Sequence, residues 1–577
     1  MHQLATGADT LAPGRLTAGT GQPAPATHAA GRRPTAGPRP PRTPGSPTGT
    51  GRGARLRRFV ASVGPEVLAL AVAGTVFGYQ VGTPSPWRDE GATMVIAARP
   101  FGEIVELIRH LDLVHASYYL LVHALLSVEG STTLADAVPS VRIVSVVAAS
   151  LTALLLVRIG RRLGSTAVGM SAALALVAAP LVTRYAQEAR AYALVMLATT
   201  LATLLLLRAV SRPRDRLGWA LYAAALVLTG LLNVISLLVV LAHAVYVRVR
   251  VRRPVRQRWL LATAGGLGAV SPFVAATFLQ RGQVDWLYAP VVGDVPRFYA
   301  AQYHDLWLLL GVLAVAVVLV RLPDRHDPRR LLPGRVGRWV GTTNAGALVL
   351  GLAWAVLPVV ALWAVSQAAP MYTWRYLVFT LPGTALAVGS LATTLRPFGL
   401  VVPVVVLALS GLHMQDVYRD PHIGHAEDMV GVGEYVVRHA RAGDALLWVP
   451  GGPGHMRTLQ ELYPERYAGL IDVALDRSGS ATATITGVEK EPEQIADALH
   501  GRKRVWLIAG DNGLGQASDA VDREKAQLLL EGYRIRKVDT VLKFQVSLWE
   551  RLKPARATKP GPVTPPVSAP FGEAVAF

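Results

Sequence analysis

Runs of Leu, Val, Ala and Gly, each closed by a cluster of arginines, recur from about residue 60 to about residue 413. This alternation constrains the fold more than any single motif. An apolar run of about 20 residues crosses a bilayer as a helix, the one open-ended element that satisfies its own backbone hydrogen bonds in lipid. Basic loops stay on the cytoplasmic side and so set the orientation of the spans. Arg52, Arg55, Arg57 and Arg58 precede the first run, 60–81, and put the N-terminus inside. Later clusters at 158–162, 208–216, 248–258 and 321–338 all fall on that side if the chain crosses about eleven times. Further spans are expected near 138–157, 166–183, 191–207, 259–279, 305–320, 344–365, 376–391 and 398–413. The count also needs 218–247 to split into a hairpin about Asn233. As one helix it would reverse every later span.

The composition agrees. Half the residues (51%) are hydrophobic and only 17% are charged, too apolar for a soluble chain of this length. The net charge of +20 raises the question of nucleic acid, but the basic residues sit at span ends and not on one aromatic-lined face, so no nucleic-acid partner is expected. There is no cysteine, which excludes disulfides and thiolate metal sites. Residues 1–55 are rich in Pro, Gly, Thr, Ala and Arg and predict a disordered cytoplasmic segment, with no short apolar stretch of the signal-peptide kind. A transmembrane domain follows over 56–415. Residues 416–552 change character and predict an extracytoplasmic α/β domain. Its helices are expected at 426–441 and 492–499, its strands at 445–449, 504–508 and 541–549. Gly451-Gly452-Pro453-Gly454 lacks the spacing of a phosphate-binding loop and reads as a turn. The Pro-rich tail 553–577 is expected to be disordered.

The first outer loop, 83–137, is far longer than a connector. It opens on Arg88-Asp89-Glu90, after Pro86-Trp87, an aromatic interface anchor, and its second half, 111–126, has the apolar content of a helix lying on the membrane surface. A carboxylate fixed there could take a proton from a hydroxyl. Tyr118 and Tyr119 read as interface anchors. Asp112 and His115, three apart, would share a helix face and with Glu90 and His110 could hold a divalent cation; the competing reading has Asp112 capping the helix. Arg184 needs no special role at a span boundary. Trp286, Tyr288, Phe298 and Tyr299, in the loop 280–304, suit either a lipid-chain groove or the headgroup belt.

Four segments carry a resemblance: Trp87-Arg88-Asp89-Glu90; Asp112 to His123, with its Tyr118-Tyr119 pair; Tyr185-Ala186-Gln187-Glu188-Ala189-Arg190-Ala191-Tyr192; and Trp374-Arg375-Tyr376-Leu377 through Leu381-Pro382. In this order they resemble the multispanning GT-C glycosyltransferases, and within them the bacterial protein mannosyltransferase-like branch, family 39. The likeness covers roughly 85–385. His115-Ala116-Ser117 departs from the His-Pro-Pro of many relatives and bears on the acceptor side. The resemblance implies an enzyme of the plasma membrane that moves a sugar, mannose by its branch, from a polyprenyl-phosphate carrier to a glycan, protein or lipid acceptor, with inversion. Asp89 would be the general base, and Glu90 would orient the acceptor, Asp89 or a metal. Arg190 and Arg375 would hold the donor phosphate, since a guanidinium fork matches phosphate oxygens. Asp112, His115, Tyr118, Tyr119, Glu188 and Tyr376 would touch substrate or support groups that do. No cofactor is required with certainty beyond a divalent metal as an option. Two rival classes are a transporter or flippase, which should show charges in mid-span or broken paired helices, and a non-catalytic envelope-assembly protein, which leaves the acidic pair unexplained.

Overall fold

The computed structural model describes residues 52–284, 287–303, 344–394, 402–449, 455–510, 513–516 and 520–552. The expected disordered termini up to 51 and from 553, the helix near 305–320, Trp286 and the 451–454 turn lie outside them.

Helices dominate the chain up to about residue 417. They are α1 (Arg52–Gly78), α2 (Arg88–Ala97), α3 (Phe101–His110), α4 (Ala116–Leu126), α5 (Val138–Arg162), α6 (Thr166–Ala178), α7 (Pro180–Ala186), α8 (Tyr192–Ser211), α9 (Arg216–Leu232), α10 (Val239–Arg250), α11 (Arg253–Leu279), α12 (Asp294–Tyr303), α13 (Ala345–Val365), α14 (Leu381–Ala392) and α15 (Val402–Val417). Among the described residues α5, α8, α11 and α13 are each long and apolar enough to cross a membrane.

Two expected spans are broken, the first of them at a proline. The span expected over 166–183 bends by 72° between α6 and α7. Pro180 is the first residue of α7, and the residue before a proline is driven out of the helical region; Ala179 accordingly has φ −78° and ψ 113°. The span expected over 376–391 begins as a 3-10 turn, Trp374–Thr380, and becomes α-helical only at Leu381-Pro382. The split about Asn233 is observed. Asn233 is extended (φ −166°, ψ 118°) and its side chain accepts from the Ile235 amide, opening the turn between α9 and α10.

The basic ends gather together. Arg161 reaches Glu66 of α1 at 2.9 Å, Arg162 reaches Ser211 at 3.4 Å, and the Asn344 side chain donates to the Leu163 carbonyl at 2.8 Å. Thus Glu66 of α1, the close of α5 and α8 and the start of α13 share one end of the bundle.

Beyond α15 come α16 (Met429–His439) and a five-stranded sheet ordered β2-β1-β5-β7-β6, with β1 at Ala445–Val449, β2 at Ile471–Asp472, β5 at Arg504–Gly510, β6 at Tyr533–Val541 and β7 at Phe544–Arg551. β3 (Leu475–Arg477) and β4 (Val488–Glu489) form a separate pair. α17 (Thr458–Leu462), α18 (Pro492–Leu499) and α19 (Ala520–Gly532) complete the unit. β1 and β5 are parallel and almost wholly buried, which is why they read as continuous apolar runs. β6 was not expected. It is an edge strand with most residues exposed, and its Arg534, Arg536, Lys537 and Asp539 erase the apolar signal while guarding the edge.

The sheet region packs against the first outer loop. The Arg99 guanidinium donates to the carbonyls of Gly479 (3.2 Å), Thr484 (2.7 Å) and Ile485 (3.0 Å). At Gly91 the approach is tight: a Cβ there would stand 2.9 Å from the Thr458 hydroxyl and 3.0 Å from the Met429 methyl, so a residue without a side chain is needed for α17 to lie on α2.

Candidate active site

The triplet forms the first turn of α2, where the free amides of a helix start favour negative charge. Asp89 and Glu90 then meet different surroundings. Glu90 has no exposed side-chain surface. Its Oε1 accepts from Arg142 Nε (2.9 Å) and the Ala189 amide (2.6 Å). Its Oε2 accepts from Arg142 Nη2 (2.8 Å) and lies 3.1 Å from His425 Nδ1. Burial opposes its ionisation, but Arg142 and His425 outweigh it and hold Glu90 well below the usual carboxylate range. Arg142 also donates to the Val81 and Pro84 carbonyls. The pair ties α2 to α5 and to the 187–191 segment.

Asp89 keeps 16% of its side-chain surface open. Its Oδ2 takes a 2.8 Å hydrogen bond from Arg375 Nη1 and stands 4.0 Å from Arg190 Nη2. Burial raises its pKa; Arg375, then Arg190, His455 and His115 outweigh that and set it below the ordinary value. Arg375 packs over Trp87, 5.5 Å to the ring centre, and over Tyr376 at 5.9 Å.

Arg190 faces inward. It donates to the Asp89 carbonyl (3.3 Å), Thr93 Oγ1 (3.0 Å) and His115 Nε2 (2.8 Å). Burial, then Arg190, pushes His115 down to about 4, against the pull of Asp112 and Asp89, so the ring is neutral and can accept that bond. His115 Nε2 is 3.8 Å from Asp112, and Asp112 accepts from the Tyr119 hydroxyl.

Several expectations change here. Asp112 occupies the cap position in a left-handed conformation (φ 63°) but makes no capping bond; its carboxylate faces Tyr119 instead. Tyr118 and Tyr119 are each 1% exposed, so they are packed inside and do not anchor an interface. The metal candidates do not converge. Glu90 is fully engaged by Arg142, Ala189 and His425, His110 pairs with Glu106 on α3 at 3.0 Å, and among the described residues no three His, Asp or Glu side chains are grouped to hold an ion. Phe298 is completely buried and Tyr299 donates to the Ala355 carbonyl at 2.9 Å; neither is on the wall of the cavity described next.

Beside Asp89 opens a cavity of about 510 Å³. Trp87, Arg184, Glu188, Tyr288, Arg297 and Arg375 are on its wall. Arg184, to which the sequence assigns no definite role, is one of three guanidiniums there; Arg190 is not among the lining residues. Glu188 is 1% exposed and its Oε1 has no hydrogen-bond partner among the described residues. Burial, then the Glu90 charge, push Glu188 up to about 8 despite Arg184 and Arg190. It is a neutral carboxylic acid at neutral pH, able to donate. Arg142 carried a sequence signal that went unread, a lone arginine inside an apolar span. Glu427, His425 and His455 carried none, being more than 300 residues from the triplet.

Comparison with known proteins fits this architecture. A family model described as dolichyl-phosphate-mannose-protein mannosyltransferase matches residues 123–276, a stretch that contains Arg142, Glu188 and Arg190 but not Asp89. No curated protein matches the chain by sequence. Among solved structures, ArnT from Cupriavidus metallidurans in the apo state superposes with a TM-score of 0.53 at 12% identity, covering 85% of this chain and 98% of that one. The same protein bound to undecaprenyl phosphate gives 0.50 at 12% identity, covering 84% and 98%. Along most of its length the chain thus shares the fold of ArnT, and across 123–276 it is similar to the dolichyl-phosphate-mannose-protein mannosyltransferase family.

Proposed function

We propose that the protein transfers a sugar from a polyprenyl-phosphate carrier to an acceptor hydroxyl on the outer face of the plasma membrane, with Asp89 as general base and inversion at the anomeric carbon. The observation that carries this is the pairing of Asp89 with Arg375 at the edge of a cavity walled by three guanidiniums and a neutral Glu188. A monoanionic or dianionic phosphate needs such donors, and fixed cations stabilise the charge that grows on it as the glycosidic bond breaks. Tyr288 and Leu287, on the same wall, suit the first isoprene units. The ArnT likeness adds that a protein of this fold binds undecaprenyl phosphate. Mannose is the sugar the family description favours.

Donor binding would also prime the base. In the free site Arg375 holds Asp89 ionised but weakly basic. A phosphate arriving beside Arg375 shares that guanidinium and raises the basicity of Asp89 where the acceptor hydroxyl must lose its proton. Arg190, engaged with Asp89, Thr93 and His115, orients the base, while Arg375 and Arg184 hold the phosphate. About eleven crossings put the basic ends inside and the site, with the α/β domain of 416–552, outside.

The test is transfer by purified protein in lipid. Polyprenyl-phosphate-mannose labelled in the sugar is offered with an envelope extract, alongside Asp89→Asn. Label should move with wild type and not with the variant. Full transfer by a folded Asp89→Asn protein ends the assignment of the base, and no transfer from any polyprenyl-phosphate sugar ends the reading.

A further inference from the structure

A second cavity lies at the end of the bundle away from Asp89. α8 begins two residues after Arg190 and runs 20 residues to Ser211, about 30 Å of helix and so about the thickness of a bilayer core. Just beyond it, among the gathered basic ends, a space of about 450 Å³ opens between the α8–α9 turn and the start of α11. Arg212 to Asp215 form one wall, and Pro254, Val255 and Arg258 the other.

The sidedness of a membrane protein asks only that arginines gather at this end. It does not ask them to line a cavity on a fixed backbone, and here the backbone is fixed. The Pro213 carbonyl accepts from Trp219 Nε1 at 3.0 Å and from Arg258 Nη1. The Asp215 amide closes a turn onto the Arg212 carbonyl at 2.9 Å. The Asp215 carboxylate caps α9 through the Gly218 amide at 3.1 Å, and its other oxygen stands 3.7 Å from Arg208. The one acid on the wall is therefore already engaged. Arg212 and Arg214 are exposed, and their side chains make no hydrogen bond or ion pair among the described residues. The start of α11 adds the positive end of its dipole, with no acidic residue in its first turn and no side chain capping it.

The apolar surface beside the cavity narrows the kind of anion. Val255, Arg258 and Leu261 are three apart on α11 and share a face. The first two line the cavity. Leu261, about 5 Å further along the axis, is exposed among the described residues, as are Leu260 and, on α9, Leu217. A free phosphate has no use for that surface, whereas a lipid puts its headgroup at the basic end and its chains along apolar helix faces. We infer that this cavity binds the headgroup of an anionic glycerophospholipid. Its phosphate is held by Arg212, Arg214 and Arg258, and its chains lie along Leu217 and Leu261. On the topology proposed above this is the inner leaflet, so the bound lipid is neither donor nor acceptor. The site stands whether or not Asp89 takes part in sugar transfer.

The experiment follows thermal unfolding of the purified full chain in an uncharged detergent. Short-chain phosphatidylglycerol should raise the midpoint to a plateau, as a ligand of the native state does. Phosphatidylcholine with the same chains carries no net charge, and glycerol phosphate carries no chains; each should act only at far higher concentration. Arg212→Gln with Arg214→Gln should keep the lipid-free midpoint, because both side chains are exposed. The same pair should raise the phosphatidylglycerol concentration for half effect about tenfold or more, through the loss of charge-assisted hydrogen bonds. Arg214→Gln alone should shift it in the same direction and serves if the pair does not fold. Arg248→Gln with Arg250→Gln removes the same charge at the end of α10, outside the cavity, and should titrate like wild type. Equal weakening by both pairs means general attraction to a basic face and overturns the site. An equal response to phosphatidylcholine overturns the headgroup charge, and an equal response to glycerol phosphate overturns the lipid. An unchanged titration in the Arg212 and Arg214 variants overturns the site as well.

Discussion

Asp89 and Glu90 are neighbours in the chain, and the regions they face could hardly differ more. On the Glu90 side, Arg142 from α5, the Ala189 amide and His425 occupy both carboxylate oxygens with no solvent. On the Asp89 side, one oxygen is shared by two arginines and part of the side chain stays open, beside a cavity of about 510 Å³. Both carboxylates are ionised. What separates them is whether their partners can be displaced. A carboxylate whose every lone pair is already matched inside the protein can brace a fold but has little left for a substrate, whereas one held by a guanidinium on the wall of a cavity can exchange partners with an incoming phosphate.

The sharpest break in that comparison would be a swap of phenotypes. Asp89→Asn should lower kcat by about 10² to 10⁴, the usual worth of a general base, with the thermal midpoint near that of wild type. Glu90→Gln should do the reverse in kind. It leaves Arg142 buried against a neutral amide, a loss of about 3–5 kcal/mol when one partner of a buried pair is removed, read as a lower midpoint and poor recovery from the membrane. Glu90→Gln with Arg142→Met should regain part of that stability, because no charge is then stranded. A Glu90→Gln protein of normal stability and no activity would reverse the two roles. A smaller effect is expected at the cavity. Arg375→Gln should raise donor KM about ten- to a hundredfold, the worth of a charge-assisted hydrogen bond or two, and should also bring Asp89 closer to its ordinary pKa.

The same contrast explains what could be read from the chain in advance. Local signals were legible. Apolar runs gave the helices, Asn233 gave the break between α9 and α10, and β1 and β5 stood out as unbroken apolar strands. Asp89 and Arg375 stood out by motif and by their place at helix ends. The break at Pro180 was also local, and was there to be read from the rule that a residue preceding proline leaves the helix. The partners were not legible. Nothing at position 427 says that it will meet Arg88, and nothing at 425 points to Glu90, because those pairings exist only once the chain beyond α15 folds back on the first outer loop. Arg142 lies between. Its burial in an apolar span foretold a carboxylate partner without naming it. Edge strand β6 was hidden for the opposite reason, since the charges that keep it from pairing with other chains also remove its alternation.

The subtlest consequence concerns Glu188, which bears on both regions: Glu90 is the like-sign charge that acts on it most, and Glu188 itself lines the cavity. Its pKa is raised in the fold, from an ordinary 4.5 to about 8. Between those values the native state binds more proton than the unfolded chain, so this residue's contribution is fully present below about 4.5 and is lost as pH climbs through about 8. Glu188→Gln should remove that part of the decline and leave a flatter profile of thermal midpoint against pH. The same titration should mark donor binding. Protonated Glu188 can donate to a phosphate oxygen, and its carboxylate repels one. Donor KM should therefore rise in wild type above a pH of about 8 and stay level in Glu188→Gln over the same range. A wild-type KM that is flat across that range places the phosphate away from Glu188, and the cavity would then have to take the donor by Arg184 and Arg375 alone.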